Sequence, residues 1–231
     1  MSRCLTEQEC RLIGGKGYPV DNRLCTFAIA KEFGCAADTG YSFTDNQIVY
    51  YDSIVNAHPY VNLGLPSGTR WATMNIGASS VTGYGYYFKW GNATAYTNGS
   101  NPGNSSSSTW TDMATYYWGD RWTVPTPDQY KELVNYCTLS WTTVSGVVGV
   151  AFSRNGQTLF LPAAGAIRPN TSSVIYASQL CIMHQSGQIS GGGSGYCFYR
   201  NSSGDFYASV PHQKNEAYPV RAVSQKVNIN P

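Results

Sequence analysis

Apolar and polar residues along this chain change places in short bursts rather than in long helical stripes. From Tyr60 onward, runs of β-branched and aromatic residues are cut by Gly, Pro, Asn and Ser, the signature of short strands joined by turns. The pattern predicts strands over Tyr60 to Leu63, Arg70 to Ile76, Val147 to Ser153, Gln157 to Leu161, Tyr196 to Arg200, Phe206 to Val210 and Ala217 to Val223. One helix stands out against this background. Thr126 can cap it, Pro127 suits its first position, Gln129 completes a capping box, and Tyr130, Leu133, Val134 and Cys137 fall on one face.

The N-terminal part has a different texture. Nine of the first 35 residues are charged, a shift in composition that marks a subdomain boundary. Thr6 followed by Glu9 opens a short helix that stops at Gly14, and a second helical run extends from Leu24 to Phe33 and ends at Gly34. The predicted organisation is a small helical subdomain and linker over residues 1–57 and one larger domain over 58–231. Between Tyr96 and Thr109 the stretch NGSNPGNSSSS has no apolar anchor and reads as a mobile surface loop.

Composition narrows the function classes. Charged residues make up 12% of the 231 and the formal net charge is +2, so there is no electrostatic case for a nucleic-acid partner. The start, MSRCLTEQECRL, has no apolar run behind a basic segment, and no later segment approaches the roughly 18 apolar residues of a membrane helix. No signal peptide and no membrane insertion are predicted. The seven cysteines, Cys4, Cys10, Cys25, Cys35, Cys137, Cys181 and Cys197, contain no CxxC pair and read mainly as reduced, buried thiols. A disulfide among the first four, or between Cys181 and Cys197, stays open.

Signals for chemistry are thin. His58, His184 and His212 stand apart without HxH or HExxH spacing, and no GxSxG elbow occurs. Asp205 and Glu216 look isolated rather than paired. No cofactor, no metal and no catalytic residue is predicted. Trp71, Trp122 and Phe160 read as core, Pro66, Gly68, Pro162 and Gly165 as turn residues, and Arg221 as a buried structural cation held by a carboxylate or carbonyls.

Four blocks carry a resemblance: YVNLGLPSGTRWATMNIGA at 60–78, RWTVPTPDQYKELVNYC at 121–137, NGQTLFLPAAG at 155–165 and AYPVRAV at 217–223. Together they resemble the Fibrobacter-type major paralogous domain found in Bacteroidales proteins and their phages. That resemblance implies an α+β, C-type-lectin-like fold, similar also to the formylglycine-generating enzyme, with short mixed or antiparallel strands, few helices and long loops. Members of the family recur as variable proteins of diversity-generating retroelements, which implies a hypervariable ligand-binding segment near 174–218 and a place on a phage tail or a bacterial cell surface. The strings with which calcium-dependent lectins hold their cation, Glu-Pro-Asn or Gln-Pro-Asp with Trp-Asn-Asp, do not occur here, so glycan binding would rest on stacking and hydrogen bonds from residues such as Tyr176, Tyr199 and Tyr207.

Independently of any resemblance, residues 171–218 contain nine Ser, six Gly, five Tyr and two Asn, the residue types that build antibody-like recognition surfaces. An ordinary Gly/Ser-rich loop with half-buried tyrosines has the same composition. The expected contacts on a solvent-facing surface are Tyr176, Leu180, Ile182, His184, Arg200, Tyr207, His212 and Asn215. The leading expectation is therefore a non-catalytic receptor-binding or adhesive module for a protein or glycan on a cell surface. Two rivals remain: a structural domain of a surface or tail assembly, docking or oligomerising through 1–57, and an oxidase related to the formylglycine-generating group.

Overall fold

In a computed structural model the described residues are 54–55, 58–188 and 192–224. The two N-terminal helices expected near Thr6 and Leu24 lie outside them. The chain divides into two compact units, Met1–Pro59 and Tyr60–Pro231. In the first, β1 (Ile54–Val55) pairs antiparallel with the start of β2 (His58–Val61).

The second unit is α+β, built among its described residues from small antiparallel sheets and two short helices. Tyr60 and Val61 of β2 pair with β3 (Arg70–Ala72), and β3 pairs on its other side with β12 (Val223–Ser224). A meander of β5 (Thr138–Val144), β6 (Val147–Arg154) and β7 (Gln157–Pro162) forms a second sheet. Its hairpins turn at Ser145-Gly146 and Asn155-Gly156, all four with positive φ, as two-residue turns that match strand twist require. A third sheet has the order β10 (Phe206–Gln213), β9 (Ser194–Asn201), β8 (Leu180–Gln188). β11 (Ala217–Pro219) pairs with β4 (Tyr87–Lys89).

Helix α1 spans Met113–Trp118 and α2 spans Pro127–Tyr136. The α2 cap is the one the sequence specifies: Thr126 Oγ1 accepts from Gln129 N, and Gln129 Oε1 accepts from Thr126 N at 2.8 Å. Its Tyr130 and Leu133 enter the main core beside Trp71, Val150, Phe152, Leu161, Met183 and Phe198. Tyr130 packs edge-on to Trp71 of the first sheet at 4.9 Å and stacks on Phe198 of the third at 5.1 Å, so the helix joins those two sheets through one ring. Burying such aromatic side chains is the largest stabilising contribution in a core of this type.

Several expectations shift. The segment Arg70 to Ile76 keeps strand geometry only to Ala72, and Arg221 bonds to the chain from there on. Arg221 Nε donates to Asn75 Oδ1 at 2.9 Å and Nη1 to the Ala72 carbonyl at 3.0 Å. Of the two kinds of partner expected for Arg221 the structure supplies the carbonyl, with an amide beside it, and burial pulls its pKa down to about 10. The predicted strand over Ala217 to Val223 divides into β11 and β12 around the same residue. Pro162 ends β7 rather than holding a turn.

The Asn98 to Ser108 stretch is tied down as well. Its anchor is a cation: Lys89, buried in β4, donates from Nζ to the Pro102 carbonyl at 2.6 Å and the Ser105 carbonyl at 2.8 Å. Gly99 N also donates to Ser172 O, and Val174 N to Asn98 Oδ1.

Candidate functional site

The third sheet has two chemically distinct faces. Side chains alternate across a strand, and cross-strand partners share a face. The row Cys181, Arg200, Phe206 and the neighbouring Met183 and Phe198 point toward the main core. The row Ile182, Tyr199, Tyr207 and the row His184, Cys197, Val210 point to the opposite side. On that side the sheet is only partly covered, by Ala166, Ile175 and Tyr218. What remains open is a cleft of roughly 360 Å³, walled by Tyr176, Tyr199, His212, Glu216, Tyr218 and Arg168 and floored by Leu180 and Ile182.

Backbone geometry shapes the outer wall. Gly165 has φ +67, and a Cβ there would stand 2.0 Å from the carbonyl oxygen of Ile175. This close approach permits the pairing of Ala166 with Ile175 and places Tyr176 at the rim. Tyr176 itself has φ +60, a left-handed conformation that costs a non-glycine residue on the order of 1 kcal/mol. It remains 46% exposed, so its ring stands in solvent over the cleft although its backbone is strained.

At the inner end lies a network around Glu216. The Tyr218 hydroxyl donates to Glu216 Oε2, so the 2.9 Å contact between that hydroxyl and His212 Nδ1 makes the imidazole nitrogen the donor. His212 Nδ1 also lies 3.5 Å from Oε2. The other oxygen, Oε1, has one partner among the described residues, Arg168 Nε at 3.5 Å. The hydrogen bond from His212, helped by Tyr218 and Arg168, outweighs burial and holds the Glu216 carboxyl below its ordinary range. Burial and the adjacent carboxylate push the Tyr218 phenol well up, so at neutral pH the network is a carboxylate with a neutral tyrosine. His212 stacks on Tyr199 with ring centroids 5.9 Å apart, and the Arg168 guanidinium sits 5.5 Å from the Tyr176 centroid.

Comparison with known protein families, curated proteins and solved structures finds no match to this chain.

The eight expected contact residues fall into three groups. Tyr176 and His212 line the cleft, and Tyr207, 52% exposed, lies beside it with its ring 6.0 Å from Tyr199. Leu180 and Ile182 face the same side but as a buried floor, because Ala166 and Tyr218 cover them. The other three are not on this surface. His184 is buried, its Nε2 donating to the Phe88 carbonyl at 2.6 Å, and burial pushes its pKa down to about 4. Arg200 belongs to the core-facing row, and its guanidinium donates to the Gly204 carbonyl. Asn215 donates to the Asn104 carbonyl at 3.3 Å and braces the 98–108 loop.

Sequence reasoning missed Arg168, Tyr218 and above all Glu216, which looks isolated along the chain. Its partners come from 168, 212 and 218, and only the β10–β11 corner and the strap before β8 bring them together.

Cys137, Cys181 and Cys197 are free thiols. Cys181 belongs to the main core and Cys197 to the cleft-side cluster, so they occupy opposite faces of the sheet. Burial raises both thiols, which removes the thiolate that reactive pairs need.

Proposed function

We propose that this chain is a ligand-binding module, a receptor-binding or adhesive protein displayed on a phage tail or a bacterial cell surface, with the Tyr-walled cleft as its recognition site. The observation that carries the reading is the incompletely covered second face of the third sheet, with its open cleft. Here an exposed tyrosine is held over a preformed hollow at a cost in backbone strain. Ligand sites are concave, preformed and lined by aromatic groups with a few fixed polar ones, and strain of this kind concentrates at functional sites. The four sequence blocks support a C-type-lectin-like scaffold of the Fibrobacter-type family, and residues 174–218, proposed to be diversified by a retroelement, supply most of the cleft.

The test replaces the exposed residues Tyr176, Gln179 and Tyr207 together by Ser and screens both proteins on glycan and surface-protein arrays. Exposed substitutions cost little, so the variant keeps its melting temperature within a few degrees and loses the targets that wild type retains. Unchanged array binding would defeat the reading, and so would a collapse in stability.

A specific observation favours the assembly reading as second. Trp110, Tyr116 and Tyr117 are exposed around α1, with Tyr117 in ring contact with Tyr86, Phe88 and Tyr116. Aromatic surface of this kind marks contact surfaces. A sedimentation experiment comparing wild type with Tyr116→Ser/Tyr117→Ser separates it from the first reading, because the cleft is untouched. The oxidase reading has no comparable support, given the placement of Cys181 and Cys197.

A further inference from the structure

The cleft contains one fixed charge and one movable charge, and they differ in sign. Glu216 is the fixed one: its side chain is 18% exposed, and Oε2 is held by both Tyr218 and His212. Arg168 is the movable one. Its side chain is 53% exposed, it stands 3.5 Å from Oε1, and it rests over Tyr176. With its cationic partner more than half exposed, an ion pair at that distance contributes little, whereas the orientation of the carboxylate is set by its other partners. The cleft therefore presents an ionised oxygen among the rings of Tyr176, Tyr199 and Tyr218, and its own arginine supplies a weakly held positive group. Carboxylate and tyrosine faces together are what a desolvated organic cation requires. An anionic ligand would have to approach the fixed carboxylate. A neutral ligand would leave the Arg168 contact in place.

We infer that the cleft takes an organic cation, an ammonium or guanidinium group, which displaces Arg168 from Glu216 Oε1 and from the face of Tyr176. Arg168 is thus a built-in competitor that keeps the carboxylate and the ring occupied while the site is empty. The inference rests on the cleft being the recognition site.

The sign of the Arg168 effect tests it. The 231-residue chain with 13C-labelled tyrosine rings is titrated with Nα-acetyl-lysine amide, Nα-acetyl-arginine amide, cadaverine and tetramethylammonium, with acetate and a methyl glycoside as comparators. The cations shift the Tyr176 and Tyr199 resonances, and Arg168→Ala tightens them about two- to fivefold by removing the competitor. Glu216→Gln weakens them about tenfold or more, with a melting curve confirming that this variant is folded. Tighter binding of cadaverine than of the lysine amide identifies a free amine as the source, and the reverse identifies a side chain of a protein. If acetate or the glycoside shifts the same tyrosines and Arg168→Ala weakens that binding, the cation inference falls while the cleft stands as a site. If no probe moves them in wild type or Arg168→Ala, the inference also falls, and the array result alone decides the recognition reading.

Discussion

The carbonyl oxygen of Ile175 lies 2.0 Å from where a Cβ on residue 165 would begin. Gly165→Ala must therefore move the 175–176 strap, and the left-handed backbone at 165 adds to the penalty. The expected cost is roughly 2–3 kcal/mol, read as a lower urea midpoint, with cleft binding lost even where the variant remains folded. Retained binding in a folded Gly165→Ala protein would show that the strap does not set the position of Tyr176.

Tyr176→Asn should separate stability from recognition. Asparagine tolerates the left-handed region that tyrosine resists, so the melting temperature stays level or rises by a few degrees. Binding falls because the ring is gone. A clear drop in melting temperature would show instead that the contact with Arg168 stabilises the fold.

Acidification should destabilise the protein through His184. Burial holds its folded pKa near 4 against 6.5 for the free side chain, so between those values the unfolded chain binds a proton that the folded one refuses. Stability is unaffected by this group above about pH 6.5, falls as pH drops toward 4, and the loss reaches roughly 3 kcal/mol. The lowered carboxyl of Glu216 acts in the same direction at lower pH still. Urea midpoints across this range isolate the histidine: His184→Gln, which can still donate to the Phe88 carbonyl, should give a flatter profile than wild type.

Lys89→Met removes the cation that gathers the Pro102 and Ser105 carbonyls. Leaving such acceptors unpaired costs on the order of 2 kcal/mol. Hydrogen exchange should accelerate first at 98–108 and at Val174, whose N–H donates to Asn98 Oδ1. Uniform acceleration across the third sheet would show that the lysine stabilises the whole unit rather than the loop.

Mass-mapped alkylation should label Cys137 before Cys181 and Cys197, which react only on unfolding. Cys137 is half-buried while the other two are enclosed. Early labelling of Cys197 would mean that the cleft side of the sheet opens in the native state.

What could be read from the chain follows from how locally each feature is encoded. Helix α2 is legible because Thr126, Pro127 and Gln129 specify its start within four residues, and Trp71 and Trp122 are legible as core because such large rings are rarely left in water. Strand β8 is not, since Leu180 to Gln185 are all buried and a strand covered on both sides loses its alternation. Helix α1 also escapes: MATYYW has no apolar stripe, and its cap, Asp112, is identified by accepting from Thr115 N and from Val124 N, far along the chain. The Lys89 anchor shows the limit of composition, because an apolar hold was sought for a loop fastened by an ammonium. The site was half legible. Every second residue from Leu180 to His184 lies on the cleft side of the sheet, but nothing local to the strand signals that Tyr218 and Ala166 roof part of it.

On β9 the codons for Tyr199 and Asn201 supply walls of the cleft, and that for Phe198, between Cys197 and Tyr199, supplies the main core. Cleft shape and foldability are thus inherited in an interleaved register along one short stretch of gene. Exchanging the whole stretch with another sequence disturbs both properties at once, whereas a library confined to the codons of 199 and 201 reshapes the cleft while leaving the buried Cys197 and Phe198 in place.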